Sequence, residues 1–91
     1  DYATMSISDD VVAQAEQCFR NIGKALGEAG VGFADIVRVR YIFGKREDFE
    51  PCLPVMKSYL GTVRPAATLI VADLVDPAMK IEIEVTALKP D

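Results

Sequence analysis

The sequence contains no histidine, and its two cysteines are Cys18 and Cys52. The lack of histidine excludes nucleophile–histidine pairs, imidazole-ligated zinc sites and acid–base catalysis by imidazole. Two thiols cannot supply a four-cysteine metal site, and their wide spacing is unlike the Cys-x-x-Cys spacing of redox pairs. We therefore expect both cysteines to act as small apolar side chains in the core, and we expect no metal and no cofactor.

Long apolar runs are also missing, because no segment approaches the roughly 20 residues that span a bilayer and no basic leader precedes an apolar segment. We therefore expect no membrane partner and no secretory signal, and we interpret the chain as cytoplasmic. The net charge of −4, with the basic residues scattered, argues against nucleic-acid binding. The 91 residues, 51% of them hydrophobic, predict one small domain over 1–91 that buries apolar surface against partner subunits.

Two segments have the three-to-four-residue apolar spacing of amphipathic helices. The first predicted helix begins after Ser8, an N-cap candidate, and ends at Ala29 with Gly30 as its C-terminal stop. Its apolar stripe consists of Val11, Ala15, Cys18, Phe19, Ile22, Leu26 and Ala29. A shorter helix is predicted to enter through the proline-containing segment 51–54 and to end at Gly61.

Residues 36–43, 66–74 and 80–88 alternate with a period of two and predict three strands. In the first strand, the alternation predicts one face made of Val37, Val39, Tyr41 and Phe43, and the other made of Ile36, Arg38, Arg40 and Ile42. In the last strand, Glu82 and Glu84 project from the same face. Helices interposed between strands in so short a chain predict an α+β domain, with helices covering one face of a mixed sheet.

Several ordered blocks together resemble the Rid (reactive intermediate deaminase) family, also called the YjgF or L-PSP endoribonuclease-type family. The blocks are QAEQCFRNIGKALGEAG, FADIVRVRYIF, REDFEPCLPVMKSYL, RPAATLIVADL and MKIEIEVTAL. The resemblance implies a chorismate-mutase-like α+β fold, a homotrimer and small-molecule ligands in the clefts between subunits. It implies hydrolysis of reactive enamines and imines to keto acids and ammonia. It also implies an N-terminal β-hairpin that this sequence, which starts late relative to the family, is expected to lack.

The resemblance also implies site residues. The position of the family's carboxylate-binding arginine falls on Ala66, and Arg64 lies two residues upstream, where an extended chain would place it on the same face about 6–7 Å away. Thr68 falls where the family often has a small thiol or hydroxyl residue. Glu82, the first glutamate of IEIE, matches the residue that positions the attacking water, whereas the family's asparagine in the second helix falls on Leu53. The predicted site is therefore Glu82 as the catalytic residue, with Arg64, Ala66 and Thr68 as the substrate-binding positions.

Three functions remain open at this stage. The first is an imine or enamine deaminase with an altered substrate range, and the second is a non-catalytic homotrimer of the same fold that binds a metabolite or a protein. The third is an endoribonuclease, for which the acidic charge and the lack of histidine give little physical support. A structural role competes for the two glutamates, since Glu82 and Glu84 could pair with Arg38 and Arg40 across neighbouring strands.

Overall fold

The computed structural model describes residues 8–90, and the predicted extended arm at the N-terminus, residues 1–7, lies outside them. The main elements are α1 (Val11–Glu28), β1 (Ile36–Phe43), α2 (Phe49–Leu60), β2 (Ala66–Val71) and β3 (Ile81–Ala87). Single 3₁₀ turns, Phe33–Asp35 and Arg46–Asp48, precede β1 and α2. The strand order is β2-β1-β3, with β2 parallel and β3 antiparallel to β1. The α+β architecture with a mixed sheet is therefore confirmed.

Helix α1 begins two residues later than Ser8 predicts. Asp10 is the N-cap, and its carboxylate accepts a hydrogen bond from the backbone N–H of Val12 at 3.1 Å. The hydroxyl of Ser8 instead accepts from the N–H of Asp10, so the prediction of a Ser8 cap is wrong. At the other end the N–H of Val31 donates to the carbonyl of Leu26, and Gly30 has a φ of +80°. This closure needs a left-handed residue, which explains the glycine at that position.

The face of α1 that packs on the rest of the molecule includes one polar residue that the apolar stripe does not predict. Gln14 is 7% exposed, and its amide nitrogen donates to the carbonyls of Ser8 and Ala78 at 2.6 and 2.9 Å. Its amide oxygen accepts from the N–H of Lys80 at 2.7 Å. Gln14 therefore ties the start of α1 to the chain entering β3.

Helix α2 begins at Phe49, so Pro54 lies inside the helix rather than at its entrance. Proline at this position removes one helical N–H, and the carbonyl that this N–H would have bonded belongs to Glu50, an exposed residue that water can reach. The helix buries Cys52, Met56 and Leu60.

A β-bulge near the start of β1 changes the predicted face of two residues. The register with β3 shifts between Ile36 and Arg38, so Ile36 is buried and Val37 is 43% exposed. The prediction from alternation was wrong for Ile36 and Val37. A bulge inserts one extra residue into a strand, so the side chains before it point to the opposite faces from those that strict alternation predicts. The later residues of β1 follow the prediction, and their buried side chains belong to the hydrophobic core. The core consists of Val11, Ala15, Phe19, Leu26, Ile36, Val39, Tyr41, Phe43, Cys52, Met56, Leu60 and Ile81.

Strand β2 is an edge strand with little cover. It ends at Val71, three residues before the predicted end, and all six of its residues are exposed. Leu69, Ile70 and Val71 are 36–48% exposed. The face of the sheet that points away from the helices carries Arg38, Arg40 and Ile42 of β1, beside their partners on β2 and β3. We call this face the open face.

Candidate functional site

The two glutamates of β3 have different surroundings on the open face. Glu84 pairs in register with Arg40, and its Oε2 lies 2.7 Å from Nη2 of that arginine. Glu82 pairs in register with Ile42, is exposed, and has no hydrogen bond or salt bridge to any residue among 8–90. The predicted structural pairing is therefore found for Glu84 only. Glu82 is therefore an exposed carboxylate without a partner in the described part of the chain.

The negative charge of Glu82 affects the pKa of the Cys18 thiol on α1. Burial raises the pKa of the Cys18 thiol, and the negative charge of Glu82 raises it further. Burial also raises the pKa of Cys52 to about 11, with added contributions from the carboxylates of Asp48 and Asp10. Both thiols are free, Cys52 is fully buried and Cys18 is half-buried. Neither is an activated nucleophile, which agrees with the expected role as apolar side chains.

Arg64 lies in the connection between α2 and β2 in an unusual backbone conformation. Its φ of +53° is the only positive value at a non-glycine residue within 8–90. Its N–H donates to the carbonyl of Leu60 at 3.2 Å, which fixes this turn at the end of α2. Because Arg64 is not extended, the alternation that would place it on the face of Ala66 does not apply, and that expectation was wrong.

A shallow cavity of about 220 Å³, largely open to solvent, lies between α2 and the β1–β2 half of the sheet. It is lined by Val39, Tyr41, Met56, Lys57, Leu60, Gly61, Arg64, Pro65 and Ala67. Tyr41 is 7% exposed and burial raises its pKa, and among residues 8–90 no buried side-chain nitrogen or oxygen lacks a hydrogen-bond partner. Lys57 and Arg64 are exposed, so their charges lie at the rim of an otherwise apolar space.

The remaining predicted positions lie on the other side of β2. Ala66 pairs with Arg38 and Thr68 pairs with Arg40, which places both on the open face, and both are exposed. Ala66 does not line the cavity, whereas its neighbour Ala67 does. The structure thus separates Arg64, at the cavity, from Ala66 and Thr68.

Arg64 and Glu82 do not meet within one chain. Arg64 precedes Ala66, which pairs with Arg38 near the start of β1, whereas Glu82 pairs with Ile42 near its end on the opposite neighbour strand. A rise of about 3.3 Å per residue and a strand spacing of about 4.8 Å separate the two residues by roughly 15–20 Å. One small substrate cannot contact both side chains in the same copy.

Apart from Arg64, the residues that line the cavity were not predicted as site residues, and Tyr41, Lys57 and Ala67 are among them. The alternation of β1 places Tyr41 correctly on the buried face, but nothing in the sequence indicates that a cavity adjoins it. Lys57 and Ala67 come together only because α2 returns over the sheet before β2 begins. Within residues 8–90, no group of three potential metal ligands is found, and none of the helices there is long and apolar enough to cross a membrane.

Comparisons with known proteins agree on one family. The family model described as Endoribonuclease L-PSP matches residues 1–89. The human protein named 2-iminobutanoate/2-iminopropanoate deaminase is 26% identical over 91% of this chain and 61% of its own length. Protein DfrA of Myxococcus xanthus is 30% identical, with 97% of this chain and 68% of that protein covered. The chain therefore spans about two thirds or less of these relatives.

A solved structure shows the same fold. The crystal structure of a YjgF/YER057c/UK114 family member from Mycobacterium tuberculosis superposes with a TM-score of 0.84 at 32% identity, and 88% of this chain and 69% of that chain are covered. A YjgF family member from Neisseria meningitidis is similar in fold, with a TM-score of 0.87 at 22% identity over 92% of this chain and 71% of that one.

Proposed function

Since this chain belongs to the Endoribonuclease L-PSP family, also known as the Rid or YjgF family, we propose that it hydrolyses reactive imines and enamines derived from amino acids. The products are the corresponding 2-oxo acid and ammonia. The names of the human and goat relatives, both 2-iminobutanoate/2-iminopropanoate deaminase, support this class of substrate. The observation that carries the proposal is the exposed carboxylate of Glu82, which has no partner among residues 8–90 while the adjacent Glu84 is held by Arg40.

The proposed role of Glu82 is to orient and partly deprotonate a water molecule. The water oxygen forms a bond to the imine carbon, and the proton that Glu82 accepts is passed to the imine nitrogen. The hydroxyl proton of the resulting carbinolamine is then transferred to its amino group, the carbon–nitrogen bond breaks, ammonia leaves, and the carbinolamine oxygen becomes the ketone oxygen. A carboxylate already engaged by a guanidinium, as Glu84 is, would be a poorer proton acceptor.

We propose that the second half of the site comes from a neighbouring copy in a homotrimer. Arg64 would bind the carboxylate of the substrate through charge-assisted hydrogen bonds. It would replace the family's arginine, whose position is occupied by Ala66 in this chain. The separation of Arg64 from Glu82 within one chain supports this arrangement, because only a second copy can bring the two groups to one substrate. A cyclic trimer brings different surfaces of adjacent copies together, as such a shared site requires. Ala66 and Thr68 would line the cleft from the open face.

A non-catalytic homotrimer that binds a small metabolite is the second candidate function. Alanine at position 66 and leucine at position 53, where the family resemblance places an arginine and an asparagine, favour it. The two candidates share the fold and the cleft and differ only in the chemistry of Glu82.

The test uses an amino-acid oxidase to produce the imine in the presence of the purified protein, with the 2-oxo acid followed by a coupled dehydrogenase. Wild-type protein is expected to accelerate 2-oxo acid formation over buffer, and Glu82→Gln to reduce the acceleration about 100-fold or more. Glu84→Gln is the matched control, and we expect it to stay within a few-fold of wild type. No acceleration by wild type would reject the deaminase and leave the binding protein.

A further inference from the structure

The register of the three strands arranges the side chains of the open face in three rows. From the start of β1 towards its end, the rows are Ala66, Arg38 and Thr86, then Thr68, Arg40 and Glu84, then Ile70, Ile42 and Glu82. Successive rows are two residues apart along a strand, which is about 6–7 Å. The order of the rows determines which charged side chains of this face are neighbours.

The charged side chains of this face form one ion pair and leave two single charges. Arg40 and Glu84 lie in the middle row and are joined at 2.7 Å. Arg38, in the first row, is exposed and forms no salt bridge with any residue among 8–90. Glu82, in the third row, is also exposed and unpaired in that part of the chain. A guanidinium and a carboxylate are therefore left uncompensated at opposite ends of the open face, with a neutral pair between them.

The neighbours of Arg38 leave it accessible to an anionic ligand. Its register partners are Ala66 and Thr86, and Thr68 is the next residue of β2 on the same face; all three are small and exposed. None of them is acidic, so none competes with a ligand for the guanidinium. The hydroxyls of the two threonines can donate hydrogen bonds to the same anion. A guanidinium binds a carboxylate through two parallel N–H donors, which makes a carboxylate a well-matched ligand.

The distance between the two single charges suits a substrate with two carboxylates. Four residues of β1 and one strand spacing separate the Cα atoms of Arg38 and Glu82 by about 14 Å. The two side chains, a water molecule held by Glu82 and the substrate together span this distance. In the imine of aspartate or glutamate, the second carboxylate lies at the end of the side chain and can reach Arg38 while the water attacks the imine carbon. An uncharged side chain offers Arg38 no anionic group.

We propose that Arg38 binds the side-chain carboxylate of the substrate, so that the protein prefers imines of aspartate and glutamate to imines with uncharged side chains. The inference rests on the proposed function, since it names the substrate class of that site. Arg64 of the neighbouring copy binds the carboxylate next to the imine carbon, and Glu82 orients the water. Arg38 determines the specificity and takes no part in proton transfer.

The products of the reaction are suitable ligands for the test, because 2-oxo acids are stable in solution and keep both ends of the substrate. Calorimetry compares 2-oxoglutarate, which carries the second carboxylate, with 2-oxohexanoate, which has a chain of similar length and no second charge. We expect 2-oxoglutarate to bind about tenfold more tightly or better, which is the effect of a charge-assisted hydrogen bond in a partly exposed site.

Arg38→Gln removes the guanidinium at an exposed position. We expect it to lower the affinity for 2-oxoglutarate about tenfold and to leave the affinity for 2-oxohexanoate unchanged, which also shows that the variant is folded. Arg46→Gln is the matched control, because it removes the same charge from an exposed arginine in the turn before α2. We expect it to keep the preference, since salt screens exposed charges that are far from the ligand.

Equal affinities of the wild-type protein for the two acids would overturn the inference, as would no binding of either acid. The inference would also fall if Arg38→Gln kept the preference or weakened the binding of both acids alike. Loss of the preference to the same extent in Arg46→Gln would attribute it to net charge and would overturn the assignment of Arg38.

These outcomes are separate from failure of the proposed function. If the wild-type protein shows the preference and Arg38→Gln removes it, but no imine is hydrolysed faster than in buffer, the dicarboxylate site stands and the catalytic proposal falls. If the imines of glutamate and of 2-aminohexanoate are hydrolysed with equal kcat/KM, the catalytic proposal stands and the selectivity falls.

Discussion

Arg40 and Glu84 are joined across β1 and β3 by a 2.7 Å contact between Nη2 and Oε2, and this pairing distinguishes Glu84 from Glu82 on the same face. The two side chains are 40% and 49% exposed, so water and salt screen the interaction. An ion pair this exposed contributes little to the stability of the fold. Its main consequence for function is that only one of the two carboxylates is left free of a cation in the described part of the chain.

The first prediction concerns the energy of this pair. A double-mutant cycle with Arg40→Ala and Glu84→Ala is expected to give a coupling energy of about 0.2–1 kcal/mol that falls as salt is added. Urea unfolding at two salt concentrations measures it. A coupling well above this range that does not change with salt would mean that the pair is buried in the assembled protein.

The second prediction concerns the buried amide of Gln14. Gln14→Ala leaves the N–H of Lys80 and the carbonyls of Ser8 and Ala78 without their partner, and we expect a loss of about 1–3 kcal/mol in the free energy of unfolding. Gln17→Ala is the control, because Gln17 only donates to Asn21 on the same helix and its loss is expected to cost less than about 0.5 kcal/mol. Equal losses in the two variants would show that the three hydrogen bonds of Gln14 contribute little.

The third prediction concerns the backbone of Arg64. Glycine adopts a φ of +53° without steric cost, whereas alanine has a Cβ atom that makes this conformation unfavourable. We therefore expect Arg64→Gly to be more stable than Arg64→Ala by up to about 1 kcal/mol, while both variants lose binding of 2-oxo acids. Thermal unfolding compares their stabilities and calorimetry their binding. Equal stability of the two variants would argue that Arg64 carries no backbone strain, and unchanged binding would remove Arg64 from the site.

The fourth prediction concerns the pH dependence of stability. Burial raises the pKa of Cys52 from 9.0 to about 11, so the folded state holds the thiol proton more tightly than the unfolded state. The contribution is fully present below pH 9 and is lost as the pH rises from about 9 to about 11, because only the unfolded chain releases the proton in that window. Urea unfolding from pH 8 to 11 should show falling stability, with a shallower slope in Cys52→Ala than in wild type. The pKa values of Cys18 and Tyr41 are also raised, so part of the slope should remain in the variant.

The spacing of apolar residues predicted the helices and strands of this fold well, because few other features of the sequence point to a different secondary structure. The alternation of β1 and the apolar stripe of α1 each lead to one buried face, and the structure has those faces. The exceptions are local. The bulge that exchanges Ile36 and Val37 depends on how β1 pairs with β3, and the N-cap is Asp10 because its carboxylate accepts from Val12 while the Ser8 hydroxyl accepts from Asp10 itself.

The cavity was harder to predict, since its lining residues on α2 and β2 come together only through the crossover from β1 to β2. The sequence indicated Glu82 and Arg64 but placed Arg64 on the face of Ala66, because a left-handed residue cannot be seen from alternation alone. The cavity beside Tyr41 depends on how closely α2 approaches the sheet, which side-chain volumes and not periodicity determine. The roles of Glu82, Arg64, Ala66 and Thr68 stay predictions.

In the proposed shared site, Glu82 of one copy and Arg64 of another act on the same substrate, and subunit mixing tests this arrangement. Glu82→Gln and Arg64→Ala, each expected to be nearly inactive alone, are unfolded together in equal amounts, refolded and assayed for imine hydrolysis. In a randomly mixed trimer about one quarter of the shared sites contain both wild-type residues, so we expect recovery of about one quarter of the wild-type activity. Activity no higher than the sum of the two variants measured separately would contradict it.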